Sequence, residues 1–289
     1  MMKMIKPIVN ISKVIDPFDA VITGFDGVLY DGRAFRQEAV DALINMKRRG
    51  KKVVLLSNTP LRVEALARLM RAAQVPLAVF DAVITAGEIL HYKLKAGVGE
   101  FSGIGRAYYK IGDDSAAGIF SGLDFEPADD LGRADFLYMG GTAGVGELID
   151  SYLPVLEHAA SLSMPFVCAG NDTSGYRNGE LCVAAGALAE QYAVLGGRII
   201  TVGKPDARIF EYALDSLENI EKDKVLVIGD NIATDIKGAD LAGLSSALIS
   251  KAVHVNFLGE GYIPDVAKTR ELATNFDASP DFIISNLRW

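Results

Sequence analysis

The chain has 289 residues, half of them hydrophobic and 23% charged, which is long for one domain, comfortable for two and unlike a disordered composition. Its 29 basic and 37 acidic residues leave a formal charge of −8, which argues against a general polyanion-binding surface and so against nucleic acid as a partner. No apolar run approaches the roughly 18 residues of a membrane span, and Cys168 and Cys182 have no Cys or His nearby at zinc spacing, so the reading is a cytoplasmic chain with two buried thiols and no membrane association.

Short apolar runs alternate with helical patterns along the chain. A run over 20–23 precedes a helical pattern over 38–49, a run over 52–56 precedes one over 61–73, and a run over 82–85 precedes one over 88–95. Parallel strands need crossover helices, so this rhythm predicts a doubly wound, Rossmann-like parallel sheet whose ligands sit beyond the carboxyl ends of its strands. From Gly87 to Gly197 the chain carries its own strand candidates (107–111, 136–139, 166–168) and helices (145–161, 184–195), which reads as an inserted α/β domain. The rhythm returns with 199–202, helix 207–217, strand 225–228, helix 232–242 and strands 247–249 and 282–285. The expected organisation is a core of residues 1–86 and 198–289 interrupted by a cap of 87–197.

Four islands share one placement, at the carboxyl end of an expected strand: 24–29, 55–59, 203–206 and 229–235. The last sets Asp230 at a strand tip and Asp235 at the next helix start, where oxygen ligands suit a hard cation such as Mg²⁺. Asp235 alone reads more simply as a helix cap, but Asp26 and Asp230 on neighbouring strand ends favour the metal reading. Lys204 lies in Gly-Lys-Pro-Asp, where the upstream glycine spacing is wrong for a P-loop and Pro205 suits a first helical residue; a lysine aimed at phosphate and a solvated surface lysine both remain open. Ser57 and Asn58 suit phosphoryl oxygens or the capping of the helix after Pro60.

Taken together, Asp-Gly-Val-Leu, Leu-Ser-Asn, Gly-Lys-Pro and Gly-Asp-Asn-Ile-Ala-Thr-Asp resemble the four motifs of the haloacid dehalogenase (HAD) superfamily, and the large insertion resembles the class IIA cap of the NagD-like phosphatases. The resemblance covers nearly the whole chain, with Gly-Ala-Leu-Ala-Glu-Gln-Tyr before Gly203 similar to the cap's return to the core. It implies that Asp26 is the general acid and base with its carbonyl on Mg²⁺, that Ser57 and Asn58 bind the phosphoryl group, and that Lys204 steadies it. It further implies that Asp26, Asp230 and Asp235 make up the metal site, Asp235 in support, and that a small phosphorylated metabolite such as a sugar phosphate is the substrate. Relatives of this class often dimerise through their caps, which suggests a homodimer here.

The nucleophile of such a phosphatase belongs at position 24, which is glycine. Covalent phosphoryl transfer through that position is chemically closed, and the Mg²⁺ site loses one anionic ligand. Asp26 is a poor substitute, since two residues along a strand is about 6.5 Å of rise and a misplacement of about 1 Å can cost on the order of 10² in rate. Direct attack by water is a better residual route, because positioning and charge stabilisation do most of the work in phosphoryl transfer, though a slow one. Two readings follow: an Mg²⁺-dependent phosphatase with strongly impaired turnover, or a pseudoenzyme that binds a phosphorylated ligand or a partner without hydrolysis. Aspartate and glycine codons differ by one base, so a single introduced change could also separate the two states.

The cap should set substrate choice. Asn171, Asp172, Tyr176 and Arg177 lie in a turn-rich stretch that reads as an exposed hairpin loop. His91, His158 and His254 lie outside the four islands and read as surface or partly packed histidines. Gly103-Ile104-Gly105 lacks the third glycine and acidic residue of a dinucleotide fingerprint, so NAD is not expected.

Overall fold

The computed structural model describes residues 4–112 and 117–289. Its strands, in chain order, are β1 (Lys6–Pro7), β2 (Ala20–Thr23), β3 (Lys52–Ser57), β4 (Ala82–Thr85), β5 (Ala107–Lys110), β6 (Glu126–Pro127) and β7 (Phe136–Gly140). They continue with β8 (Phe166–Ala169), β9 (Ser174–Arg177), β10 (Glu180–Val183), β11 (Ile199–Val202), β12 (Val225–Gly229), β13 (Ser245–Ile249) and β14 (Phe282–Ile284). The chain divides into two compact units, one of Met1–Ser57, Ala67–Ile84 and Lys204–Trp289, the other of Asn58–Leu66 and Thr85–Gly203.

The first unit is built on a seven-stranded sheet in the order β1-β14-β13-β12-β2-β3-β4. From β1 through to β3 each neighbouring pair runs parallel. Such strands are covered on both faces and so read as unbroken apolar runs; in β3, every residue after Lys52 is buried. The helix Gln37–Arg48 buries Ala39, Val40, Ala42, Leu43 and Met46, the stripe that a 3.6-residue period puts on one face. From β2 the chain moves on to β3 and from β12 to β13, in opposite directions along the sheet. The β2/β12 boundary is therefore the topological switch point, where an open α/β sheet leaves a crevice beyond its strand ends.

The second unit holds a five-stranded sheet, β11-β8-β7-β5-β6, and a separate antiparallel hairpin of β9 and β10. Its core gathers Leu137, Met139, Phe166 and Cys168 from the sheet with Leu156, Leu188 and Tyr192 from the helices. Cys168 and Cys182 are both buried, as read from their isolation in the sequence. The stretch around Tyr176 forms the hairpin itself: Asn178 (φ 54°) and Gly179 (φ 86°) make the two-residue turn, a pair suited to positive φ.

Three sequence expectations need correction. The run 199–202 is a strand, but β11 pairs with β8, Ile199 opposite Phe166, and not with the core sheet. Apolar rhythm identifies a parallel strand without saying which sheet it joins. The helix expected over 145–161 begins only at Leu153, because Gly144 and Gly146 (φ 78°) break the approach and a short 3₁₀ turn, Ile149–Tyr152, intervenes. Pro205 is not the first helical residue: the helix is Ala207–Asp215, capped by Asp206, whose carboxylate accepts from the Arg208 amide.

Candidate active site at the β2/β12 strand ends

At the tip of β2 the chain leaves the sheet through Gly24, whose amide donates to the Ile228 carbonyl of β12 at 2.8 Å. Asp26 follows at the start of a tight turn in which the Gly27 amide donates to the Tyr30 carbonyl at 2.8 Å and the Leu29 amide to the Phe25 carbonyl at 2.8 Å. Phe25, Tyr30 and Phe35 pack against one another with ring centroids 5.0 to 5.8 Å apart, which holds this turn together. Burial, and then the charges of Asp26 and Asp31, push the Tyr30 hydroxyl above its ordinary pKa, so it stays a neutral donor at pH 7.

Ser57 ends β3 and is buried. Lys204 is buried as well, and its ammonium donates to the Leu56 carbonyl at 3.1 Å and to Asp235 Oδ1 at 2.5 Å. It is therefore no solvated surface lysine: it ties the β3 end to the segment after β12. Asp235 does more than close the start of its own helix. Its Oδ2 reaches back to accept from the amides of Asp230 and Asn231, both at 3.1 Å, while Asn231 caps the helical turn by accepting from Ala233 at 3.0 Å. That turn, Ile232–Ile236, is π-helical, with the amides of Asp235 and Ile236 both on the Asn231 carbonyl. The widened turn brings Asp235 round under the Asp230 loop, and π turns of this kind recur at functional sites.

Four glycines lie in the islands, and three are there for sterics. A Cβ on Gly27 (φ 71°) would stand 1.9 Å from Asp230 Oδ2, one on Gly203 2.5 Å from Asn58 Oδ1, and one on Gly229 2.1 Å from the Asp235 Cβ. Gly24 differs, because its nearest neighbours would be the Val28 methyl at 3.3 Å, Asp235 Oδ1 at 3.5 Å and the Ile228 carbonyl at 3.6 Å, and its φ lies outside the left-handed region. A side chain fits there with a small shift of Val28. It would start beside the Lys204–Asp235 pair.

The structure thus gathers Gly24, Asp26, Ser57, Lys204, Asp230 and Asp235 in the first unit. Asn58 groups instead with the second unit, where its side chain abuts Gly203 and its carbonyl stands 2.7 Å from where a Gly170 Cβ would be. The helix after Pro60 is capped from elsewhere: Glu88 Oε2 accepts from the Val63 amide at 3.0 Å, with Arg62 paired to the same carboxylate. Sequence reasoning missed His254. Its Nε2 accepts from the Ile232 amide at 3.0 Å, and burial, against the opposing pull of Asp235, pushes its pKa down to about 4. No spacing signal marks it, since it lies 22 residues beyond its partner.

Among the described residues, no group of three or more His, Cys, Asp or Glu side chains is gathered as a metal cage. The side-chain donors at these strand ends are mainly hard oxygens, with the Asp230 carboxylate packed onto the Gly27 backbone next to Asp26. Both Asp235 oxygens are already engaged. This chemistry fits a cation of the Mg²⁺ type, which takes one or two carboxylates and completes its shell with water and phosphate.

The haloacid dehalogenase-like hydrolase family profile matches residues 18–243, and a related HAD-hydrolase-like profile matches 201–289. The chain is 29% identical over 244 residues to the ribonucleotide monophosphatase NagD of Escherichia coli K12, covering 81% of this chain and 88% of that one. A haloacid dehalogenase-like hydrolase from Brucella suis superimposes with a TM-score of 0.80 at 29% identity, covering 96% of this chain and 98% of its own. A possible sugar phosphatase from Cytophaga hutchinsonii shares the fold with a TM-score of 0.72 at 20% identity, covering 98% of each chain. The chain belongs to the haloacid dehalogenase-like hydrolases, in their NagD-like class IIA branch.

Proposed function

We propose that the chain binds a small phosphate monoester, such as a sugar or nucleoside monophosphate, at the β2/β12 crevice together with Mg²⁺, and that its hydrolytic turnover is strongly impaired. The observation that carries this reading is Gly24: every other first-unit residue of the four-motif pattern is present, and the nucleophile position alone has no side chain. The Asp26 backbone carbonyl and the Asp230 carboxylate would hold the cation, which supplies charge neutralisation to the phosphoryl oxygens. Ser57 would donate to a phosphoryl oxygen, and Lys204 would set a fixed positive charge beside it. Asp235 would keep Lys204 extended and the Asp230 amide in place. Asp26 would give a proton to the leaving oxygen if water attacks. No covalent phosphoryl-enzyme can form at position 24.

The second unit would act as the cap that chooses the ester. A purely binding role, without turnover, is the second reading: Gly24 lacks the attacking atom while the phosphate-binding groups stand. The test is ligand protection. Millimolar inorganic phosphate or vanadate with Mg²⁺ should raise the melting temperature, as linkage requires of any ligand that binds only the folded state. Lys204→Ala should abolish the shift. No protection of the unaltered chain at millimolar ligand would contradict the reading.

A further inference from the structure

The loop leaving β12 lines up four consecutive amides, those of Asp230, Asn231, Ile232 and Ala233. Left open, such a run at a helix start would be a partial positive charge seeking an anion. Here the protein's own side chains fill it. Asp235 Oδ2 takes the first two, Asn231 Oδ1 takes the fourth at 3.0 Å, and His254 Nε2 takes the third at 3.0 Å. Three of these acceptances come from within the loop and its helix. The fourth comes from the segment after β13, and the adjoining Val253 donates its amide to Asp230 Oδ2 at 3.3 Å.

The Val253–His254 pair therefore grips the Asp230 loop at two points, as donor to its carboxylate and as acceptor from its backbone. Ile232 has no exposed surface, being packed with Ile236, Leu248 and Ile283, so its amide has no water to turn to if the imidazole is lost. An Nε2 that accepts places the imidazole proton on Nδ1. The Phe276 ring, 6.4 Å from the imidazole centroid, flanks it.

We propose that His254 is a positioning residue for Asp230: its neutral imidazole fixes the Ile232 amide and, with Val253, sets the direction in which the Asp230 carboxylate is presented. What Asp230 is presented to rests on the function proposed above; the positioning itself does not. The test compares His254→Ala and His254→Gln with the unaltered chain by amide hydrogen exchange over 230–233 and by affinity for inorganic phosphate in Mg²⁺. Loss of one hydrogen bond to a buried amide should speed exchange at Ile232 by about tenfold in His254→Ala, with Asp230 following, and weaken phosphate binding by a similar factor. His254→Gln should restore both, because a glutamine oxygen reaches roughly to where Nε2 stood. Exchange in His254→Ala equal to that of the unaltered chain, or His254→Gln as unprotected as His254→Ala, would overturn the proposal. Failure of the unaltered chain to bind phosphate would instead count against the proposed function, and exchange alone would then decide the role of His254.

Discussion

Gly24 and Gly229 sit at the tips of adjacent parallel strands, and the two glycines are there for different reasons. At Gly229 a Cβ would lie 2.1 Å from the Cβ of Asp235, so the carboxylate that organises Lys204 and the Asp230 loop can approach only because nothing projects from that strand end. At Gly24 the nearest neighbour of a Cβ is a methyl group 3.3 Å away, and the backbone is one that any residue adopts. The fold demands glycine at one strand end and merely tolerates it at the other. What stands where a Cβ would be thus tells a glycine that the packing requires from one that it does not.

Substitutions should sharpen that contrast. The largest effect on stability is expected for Asp235→Ala, which leaves the Lys204 ammonium buried without its carboxylate and frees two backbone amides: a loss of about 3–5 kcal/mol in denaturant unfolding. Gly229→Ala should cost about 1–3 kcal/mol by overpacking and should lower phosphate affinity in the same step, since the group displaced is Asp235. Gly24→Ala should lie within about 1 kcal/mol of the unaltered chain. If Gly24→Ala proves as damaging as Gly229→Ala, the two glycines are alike and the contrast fails.

Acid titration probes the same loop from its other side. The folded pKa of His254, about 4, lies below its ordinary value of 6.5, so the unfolded chain takes up the proton first as pH falls. The stabilisation is complete above about pH 6.5 and is lost progressively as pH falls toward 4, amounting to at most about 3 kcal/mol and less after allowance for the partial exposure of the ring. Melts of His254→Gln should lack this part of the pH dependence. An unchanged acid limb in that variant would show that other groups produce it.

Much of the clustering at these strand ends was legible in the sequence because each element of it is local. A strand run followed by Asp26, Ser57, Lys204 or Asp230 places a side chain at a sheet edge from a few residues of context, and the parallel order does the rest. What was not legible depends on distant partners. Nothing near Ile199 in sequence shows that β11 lies beside β8, nothing in Ser57-Asn58 shows that the two residues fall in different units, and His254 gives no sign that it accepts from Ile232. The reach of Asp235 was illegible for a similar reason: the π turn aims its carboxylate backward, at amides and a lysine that precede it in the chain.

The proposed function turns on position 24 being an emptied nucleophile site in an otherwise intact fold. Its most direct test is Mg²⁺-dependent hydrolysis of an aryl phosphate by this chain and by Gly24→Asp, measured side by side with their melting curves. Hydrolysis should be faster in Gly24→Asp by on the order of 10³ or more, since an attacking carboxylate would be restored among the other motif groups, with little change in stability. Equal activity of the two proteins would contradict it, as would a folded Gly24→Asp with no activity toward any phosphate ester.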